Sequence, residues 1–170
     1  MDYWFWHKGD VDKLGYADQE MVSTRVLMDL LKVLLKVASR ETSLDPKNWS
    51  SKNPLHGHCA VVALLVQEKF GGKFLRASLL EIGGYDGMGS HYWNLLPNGA
   101  QVDLTACQFK GSDRDLVPEG KTTKKNWEWE EEEITRKSLL GYEPTRKKYE
   151  LLKKRVNDLR GELSKKSCKK

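Results

Sequence analysis

Apolar residues between positions 18 and 39 recur every three or four residues, and charged residues lie between them. This spacing predicts an amphipathic helix that packs one face on the rest of the protein. A second segment, residues 59–70, is apolar on nearly every side until its last turn, and two glycines follow it as a stop signal. A helix without a polar face is usually central, so residues 59–70 are predicted to form the buried helix of the domain.

Strand-like segments follow the second helix, at residues 74–80, 91–96 and 101–105. The order of two helices and then strands predicts an α+β domain rather than alternating parallel units. From Leu139 onward, apolar residues again lie three or four apart as far as Leu163, which predicts a C-terminal amphipathic helix. We therefore predict one α+β domain at residues 1–163 and a basic flexible tail at residues 164–170.

The segment Leu96-Pro97-Asn98-Gly99 has the composition of a type I turn followed by a glycine in the left-handed conformation. Such a turn closes a three-residue hairpin loop, in which Trp93 faces Asp103 across the two strands. His91 and Asp103 are then diagonal neighbours on the same face of the hairpin, within side-chain reach. A two-residue Asn-Gly turn would place them on opposite faces, and the proline favours the first arrangement.

Length and composition argue against a disordered, a membrane-spanning and a secreted protein. At 170 residues the chain has the size of one ordinary domain, and 39% apolar residues with six Trp exclude disorder throughout. No apolar stretch approaches the length of a membrane-spanning helix, and the N-terminus has an acid where a secretory signal has its basic region. We therefore expect a cytoplasmic protein that does not enter a membrane and whose three cysteines are reduced.

The basic charge is concentrated at the C-terminal end. Residues 136–170 hold 13 Lys and Arg against 4 Asp and Glu, whereas residues 1–135 hold 16 against 20. A basic segment of this kind can bind nucleic acid or an acidic partner through its charge. A solvated helix with a Lys-rich end is the alternative explanation.

Three residues have the chemistry of a nucleophilic site. Cys59 opens the buried helix, where unpaired N–H groups and the helix dipole stabilise a thiolate. Asp103 can accept a hydrogen bond from one ring nitrogen of His91, which leaves the other nitrogen to take the thiol proton. The sequence therefore predicts a Cys-His-Asp site, and Tyr85 and Trp93 are candidates to line its substrate cleft.

A metal site is the competing interpretation. His56 and His58, together with Cys59, His91 and Asp103, are ligand types that zinc uses. No Cys-x-x-Cys or His-x-x-x-His pair is present, and the two histidines flanking residue 57 do not share a face with the cysteine in an extended segment. We therefore predict no metal and no other cofactor.

Several short motifs resemble known families. The order of Gly57-His58-Cys59, His91-Tyr92-Trp93-Asn94 and Asp103-Leu104-Thr105 resembles the core of transglutaminase-like and papain-like cysteine enzymes. A closer resemblance, over residues 49–109, is to the small bacterial YunG-like proteins of uncertain activity. The motifs that carry it, beyond those above, are Asn53-Pro54, Phe70-Gly71-Gly72 and Gln108-Phe109.

The resemblance implies a papain/transglutaminase-like core, in which the helix opened by Cys59 packs on an antiparallel sheet between N- and C-terminal helices. It implies Cys59 as nucleophile, His91 as general base and Asp103 as the orienting residue. The backbone N–H of Cys59 and the side chain of Asn53 become the oxyanion donors. Hydrolysis, deamidation and acyl transfer of a peptide or other amide-bearing substrate through a thioester share these residues. The alternative is a non-catalytic binding or adaptor protein that uses the basic segment 136–170.

Overall fold

The computed structural model of the protein describes residues 17–78, 89–109 and 134–167. The helices in these ranges are α1 (Ala17–Val37), α2 (Cys59–Phe70), α3 (Arg136–Gly141) and α4 (Glu143–Ser167), with a short 3₁₀ helix at Ala106–Phe109. The strands are β1 (Lys73–Ser78), β2 (Ser90–Leu95) and β3 (Gln101–Val102). The described part of the chain is therefore α+β, as the order of segments predicts. None of its helices is long and apolar enough to cross a membrane.

Helix α2 lies at the centre of the core. Its first eight residues, 59–66, are all buried, because they have no polar face to present to water. It packs against β2 on one side and against α4 on another, and α4 also contacts α1. The helix ends at Phe70, since Gly71 and Gly72 take positive φ angles of 73° and 84° that other residues rarely adopt.

The three strands form an antiparallel sheet in the order β1-β2-β3. Leu96 and Ala100 close the β2–β3 hairpin, because the Leu96 N–H donates to the Ala100 carbonyl at 2.8 Å. Gly99 has a φ of +83°, and Asn94 faces Val102 across the two strands. This is the predicted three-residue loop, and its register is confirmed.

Strand β3 is shorter than the predicted segment 101–105. The carboxylate of Asp103 accepts hydrogen bonds from the backbone N–H and the hydroxyl of Thr105, both at 2.8 Å. These bonds turn the chain away from the sheet and into the 3₁₀ helix, so the strand ends at Val102.

The C-terminal segment is two helices rather than one. Thr135 caps α3 reciprocally with Ser138, and Tyr142 takes an extended conformation between the helices. Helix α4 then continues to Ser167, so residues 164–167 of the predicted tail are helical. Residues 168–170 lie outside the described residues.

Candidate active site

Cys59 is the first residue of α2, as the sequence predicts. Only 5% of the residue is exposed, and its free thiol donates to the backbone carbonyl of Ser90 at 3.9 Å. The thiol therefore lies where the N-terminus of α2 meets the start of β2.

Gly57 shapes the approach to Cys59. Its φ of +69° is in the left-handed region, and a Cβ at this position would lie 2.5 Å from the Ser43 hydroxyl. That hydroxyl donates to the backbone carbonyl of His56 at 2.8 Å, and the Leu44 N–H donates to the Gly57 carbonyl at 2.9 Å. The segment around residues 43–44 thus fixes the backbone immediately before the cysteine.

The two histidines before Cys59 do not point toward it as ligands. His58 is fully buried, and its Nδ1 donates to the His56 carbonyl at 2.9 Å while its Nε2 accepts from the Thr42 hydroxyl at 2.8 Å. Burial lowers the pKa of His58 to about 4, so the ring is neutral. His56 Nε2 contacts Asp45 at 2.8 Å instead. Among the residues that the structure describes, no three His, Cys, Asp or Glu side chains are grouped to hold a metal ion.

His91 and Asp103 form a direct hydrogen bond. The distance from His91 Nε2 to Asp103 Oδ2 is 2.6 Å, and His91 is only 2% exposed. Trp93 stacks on the imidazole, with ring centroids 5.6 Å apart, and Phe109 meets it edge-on at 4.8 Å. Two aromatic rings and one carboxylate therefore fix the orientation of the imidazole.

The charges of this pair stabilise each other. Burial is the largest single influence on the pKa of His91 and acts to lower it. The charge and hydrogen bond of Asp103 and a hydrogen bond to Cys59 together outweigh burial, so the pKa of His91 is raised. Burial acts to raise the pKa of Asp103, and the contacts with His91 and Thr105 outweigh it and lower that pKa. The net effect is that the protonated form of the His91 imidazole is favoured more than it is in a free histidine.

Gln108, on the 3₁₀ helix, is a member of the site to which the sequence assigns no role. Its Oε1 accepts from the Gly57 N–H at 3.3 Å, and its Nε2 lies 3.4 Å from His91 Nδ1. The residue is only 4% exposed. Its presence in the Gln108-Phe109 motif is the only sequence signal that points to it.

Asn53, the predicted oxyanion donor, is turned toward the backbone of Gln108. Its Nδ2 donates to the Gln108 carbonyl at 2.7 Å. Its Oδ1 is buried and has no hydrogen-bond partner among the described residues. One N–H of the amide is therefore already used in positioning the 3₁₀ helix.

Comparison with known proteins places the chain in a family. The family model of the YunG protein matches residues 26–161. The chain belongs to the YunG family. A protein named "Uncharacterized protein YunG" from Bacillus subtilis (strain 168) is 32% identical over 84 residues, which are 49% of this chain and 64% of that relative. The match thus spans less than two thirds of the relative's length, and no solved structure matches the chain.

The YunG family model extends well beyond the motifs from which the resemblance was drawn. It begins inside α1 and ends inside α4, so it includes Cys59, His91, Asp103 and Gln108. The YunG-like resemblance is confirmed over both flanking helices as well as over residues 49–109.

Of the two predicted substrate-binding residues, Trp93 and Tyr85, the structure of this YunG-family chain describes only Trp93. Trp93 is buried, and its indole N–H donates to Gln101 Oε1 at 3.1 Å while its ring lies on His91. Tyr85 lies outside the described residues.

Part of the basic charge at residues 136–170 is used within the chain. Arg136 and Lys153 both contact the carboxylate of Glu68, near the end of α2. Arg155 pairs with Glu41 and donates to the Ser39 hydroxyl. These bonds hold α3 and α4 against α2, and α4 against the segment that supports His58.

Proposed function

We propose that this protein is a cysteine-dependent enzyme that acts on amide, ester or thioester carbonyl groups. In this proposal Cys59 is the nucleophile, His91 the general base and Asp103 the residue that orients the base. The observation that carries the proposal is the 2.6 Å bond from His91 Nε2 to Asp103, with Cys59 as a further hydrogen-bond partner of the same buried ring.

The protonation of His91 follows from this bond. A carboxylate can only accept, so a neutral His91 carries its proton on Nε2 and presents the lone pair of Nδ1. Nδ1 can then take the proton of the Cys59 thiol as the sulfur attacks a carbonyl carbon. The raised pKa of His91 favours the imidazolium that this transfer produces.

The covalent step leads to a thioester. The sulfur of Cys59 bonds to the carbonyl carbon, the imidazolium returns its proton to the leaving group, and that group departs. Water or an amine then releases the acyl group, which gives hydrolysis, deamidation or acyl transfer. These steps are those of a papain/transglutaminase-like core, and we extend the proposal to that core.

The binding or adaptor alternative has less support. Arg136, Lys153 and Arg155, three of the basic residues of segment 136–170, contact side chains of the same chain. A nucleic-acid or acidic partner for residues 136–170 remains a prediction, and salt-sensitive retention of nucleic acid with an inert Cys59 would favour it.

The proposed function is tested by alkylation of the three cysteines. Iodoacetamide labelling over pH 5–9, mapped by mass spectrometry, is expected to modify Cys59 at acidic pH before Cys107 and Cys168, although Cys59 is buried. In His91→Gln this acidic reactivity should disappear, whereas the labelling of the other two cysteines should not change. Equal labelling profiles for Cys59 in both proteins would contradict the proposal.

A further inference from the structure

The amide of Gln108 has a fixed orientation beside His91. The Gly57 N–H donates to Oε1 at 3.3 Å, and a backbone N–H cannot accept a bond in return. The nitrogen is therefore the end of the amide that faces the imidazole, 3.4 Å from Nδ1. Because Gln108 is buried, this donor is held in place by the protein rather than by water.

The same amide contacts both His91 and the backbone just before Cys59. Asp103 occupies Nε2 of His91, and the Gln108 nitrogen lies by Nδ1, the ring nitrogen that takes the thiol proton in the proposed function. Gln108 is also bonded to Gly57, two residues before the cysteine. A carbonyl carbon bonded to the sulfur would have its oxygen near both the N-terminus of α2 and this amide.

We propose, on the basis of the function proposed above, that Gln108 Nε2 donates a hydrogen bond to the oxyanion that forms when Cys59 attacks a carbonyl. The backbone N–H of Cys59 is the second donor. In this arrangement Gln108, and not Asn53, is the side-chain member of the oxyanion hole.

Transfer of the Cys59 proton to His91 releases the Gln108 N–H at the step in which the oxyanion forms. Against a neutral His91, the amide N–H has the lone pair of Nδ1 as a weak acceptor, since 3.4 Å is long for such a bond. Once Nδ1 is protonated, the amide faces another N–H and that bond is lost. The donor is then free for the oxyanion, so its contribution is largest in the transition state.

The contact of Asn53 gives it a supporting role. Its Nδ2 donates to the backbone carbonyl of Gln108 at 2.7 Å, which fixes the 3₁₀ helix that carries the Gln108 side chain. Asn53 is therefore a positioning residue in this proposal.

Two small reagents separate oxyanion stabilisation from activation of the thiol. With p-nitrophenyl acetate, the sulfur of Cys59 bonds to the carbonyl carbon and the carbonyl electron pair moves to oxygen. The oxyanion then collapses and expels p-nitrophenolate, which leaves an acetyl thioester. With iodoacetamide, the sulfur displaces iodide directly and no oxyanion forms. A lost oxyanion donor therefore slows only the first reaction.

The experiment compares Gln108→Leu, which keeps the volume and removes the donor, with Gln67→Leu as the matched control, because Gln67 lies near the far end of α2 and contacts Arg136. In Gln108→Leu we expect acetylation of Cys59 to fall by about 10²-fold, as for loss of one oxyanion donor. Alkylation of Cys59 by iodoacetamide should stay within about threefold of the wild-type rate. Gln67→Leu should change neither rate, and circular dichroism checks that each variant is folded.

The other outcomes have distinct meanings. An equal fall in acetylation and alkylation of Cys59 in folded Gln108→Leu would show that Gln108 acts through His91, and unchanged acetylation would show that it does not act at all. Either result overturns the inference, as does a larger loss of acetylation in Asn53→Ala than in Gln108→Leu. If wild-type Cys59 reacts with the ester no faster than Cys107, the proposed function itself fails.

Discussion

Replacement of Asp103 by Asn changes the proton on His91 without changing the shape of the site. Asp103 Oδ1 accepts from the N–H and the hydroxyl of Thr105, and Oδ2 accepts from His91 Nε2. In Asp103→Asn the amide oxygen must stay on Thr105, because the backbone N–H there can only donate. The amide nitrogen is therefore forced to face His91.

This orientation selects the wrong tautomer. An N–H group facing Nε2 requires a lone pair on Nε2, which moves the imidazole proton to Nδ1. Nδ1 then cannot accept the proton of Cys59. The equivalent change in a serine triad lowers the rate about 10⁴-fold for the same reason, and we expect Asp103→Asn to lower the acylation rate of Cys59 by about 10³–10⁴-fold.

The variant should also lose stability in a defined pH range. The pKa of Asp103 is lower in the folded protein than in the unfolded chain. Its carboxylate therefore contributes to the unfolding free energy above the unfolded-state pKa, and this contribution is lost as pH falls through the folded-state pKa. The pKa of His91 is higher in the folded protein than in the unfolded chain. Its imidazolium therefore contributes to the unfolding free energy below the unfolded-state pKa, and this contribution is lost as pH rises through the folded-state pKa. Removal of the charged hydrogen bond should cost about 2 kcal/mol of unfolding free energy between these limits.

The assay combines acetylation of Cys59 by p-nitrophenyl acetate with nitrogen NMR of the imidazole, which reports which ring nitrogen carries the proton. Asp45→Asn is the matched control, because Asp45 contacts His56 Nε2 at 2.8 Å in the same manner but pairs with a histidine that has no role in the proposed reaction. The control should react like the wild type. The reasoning is refuted if Asp103→Asn keeps the Nε2–H tautomer or acetylates Cys59 within about threefold of the wild-type rate.

Three further changes have expected outcomes. In the wild type, acidification from pH 6.5 to about 4 should lower the unfolding free energy by about 3 kcal/mol, because the unfolded chain binds a proton that the buried, neutral His58 resists. In His58→Gln this loss should be largely absent. In denaturant titrations, Gly57→Ala should cost at least about 2 kcal/mol more than Gly99→Ala, since both have positive φ but only the first brings a Cβ against Ser43. Deletion of Pro97 should shift the hairpin register and abolish acidic-pH alkylation of the nucleophilic cysteine, whereas Pro97→Ala, which keeps the loop length, should not.

Local sequence was enough to predict the elements that carry the site. The start of α2 at Cys59 and its end at Phe70 match the segment predicted from apolar residues and the following glycines. The loop at residues 97–99 fixed the hairpin register, because a proline and a left-handed glycine permit few turn types. The face shared by His91 and Asp103 followed directly from that register.

The limits of local reasoning lie at contacts between distant segments. Strand β3 ends at Val102, three residues before its predicted end at residue 105, because the Asp103 side chain bonds to Thr105 and turns the chain. The amide of Asn53 donates to the backbone carbonyl of Gln108, 55 positions away in the sequence. The short distance from Asn53 to Cys59 along the chain gives no sign of this contact, which occupies one N–H of the predicted oxyanion donor.

The sequence by itself determined where the buried helix and the hairpin form and which residues share a strand face, since turn chemistry and hydrophobic periodicity act over a few residues. Only the tertiary structure decided the electrostatic state of the site. The burial of His91, the ring nitrogen that faces Asp103 and the insertion of Gln108 between Gly57 and the imidazole all depend on packing α2, the sheet and the 3₁₀ helix together. Desolvation and hydrogen bonding set the protonation of a buried group, and both are properties of the packed structure rather than of any local segment.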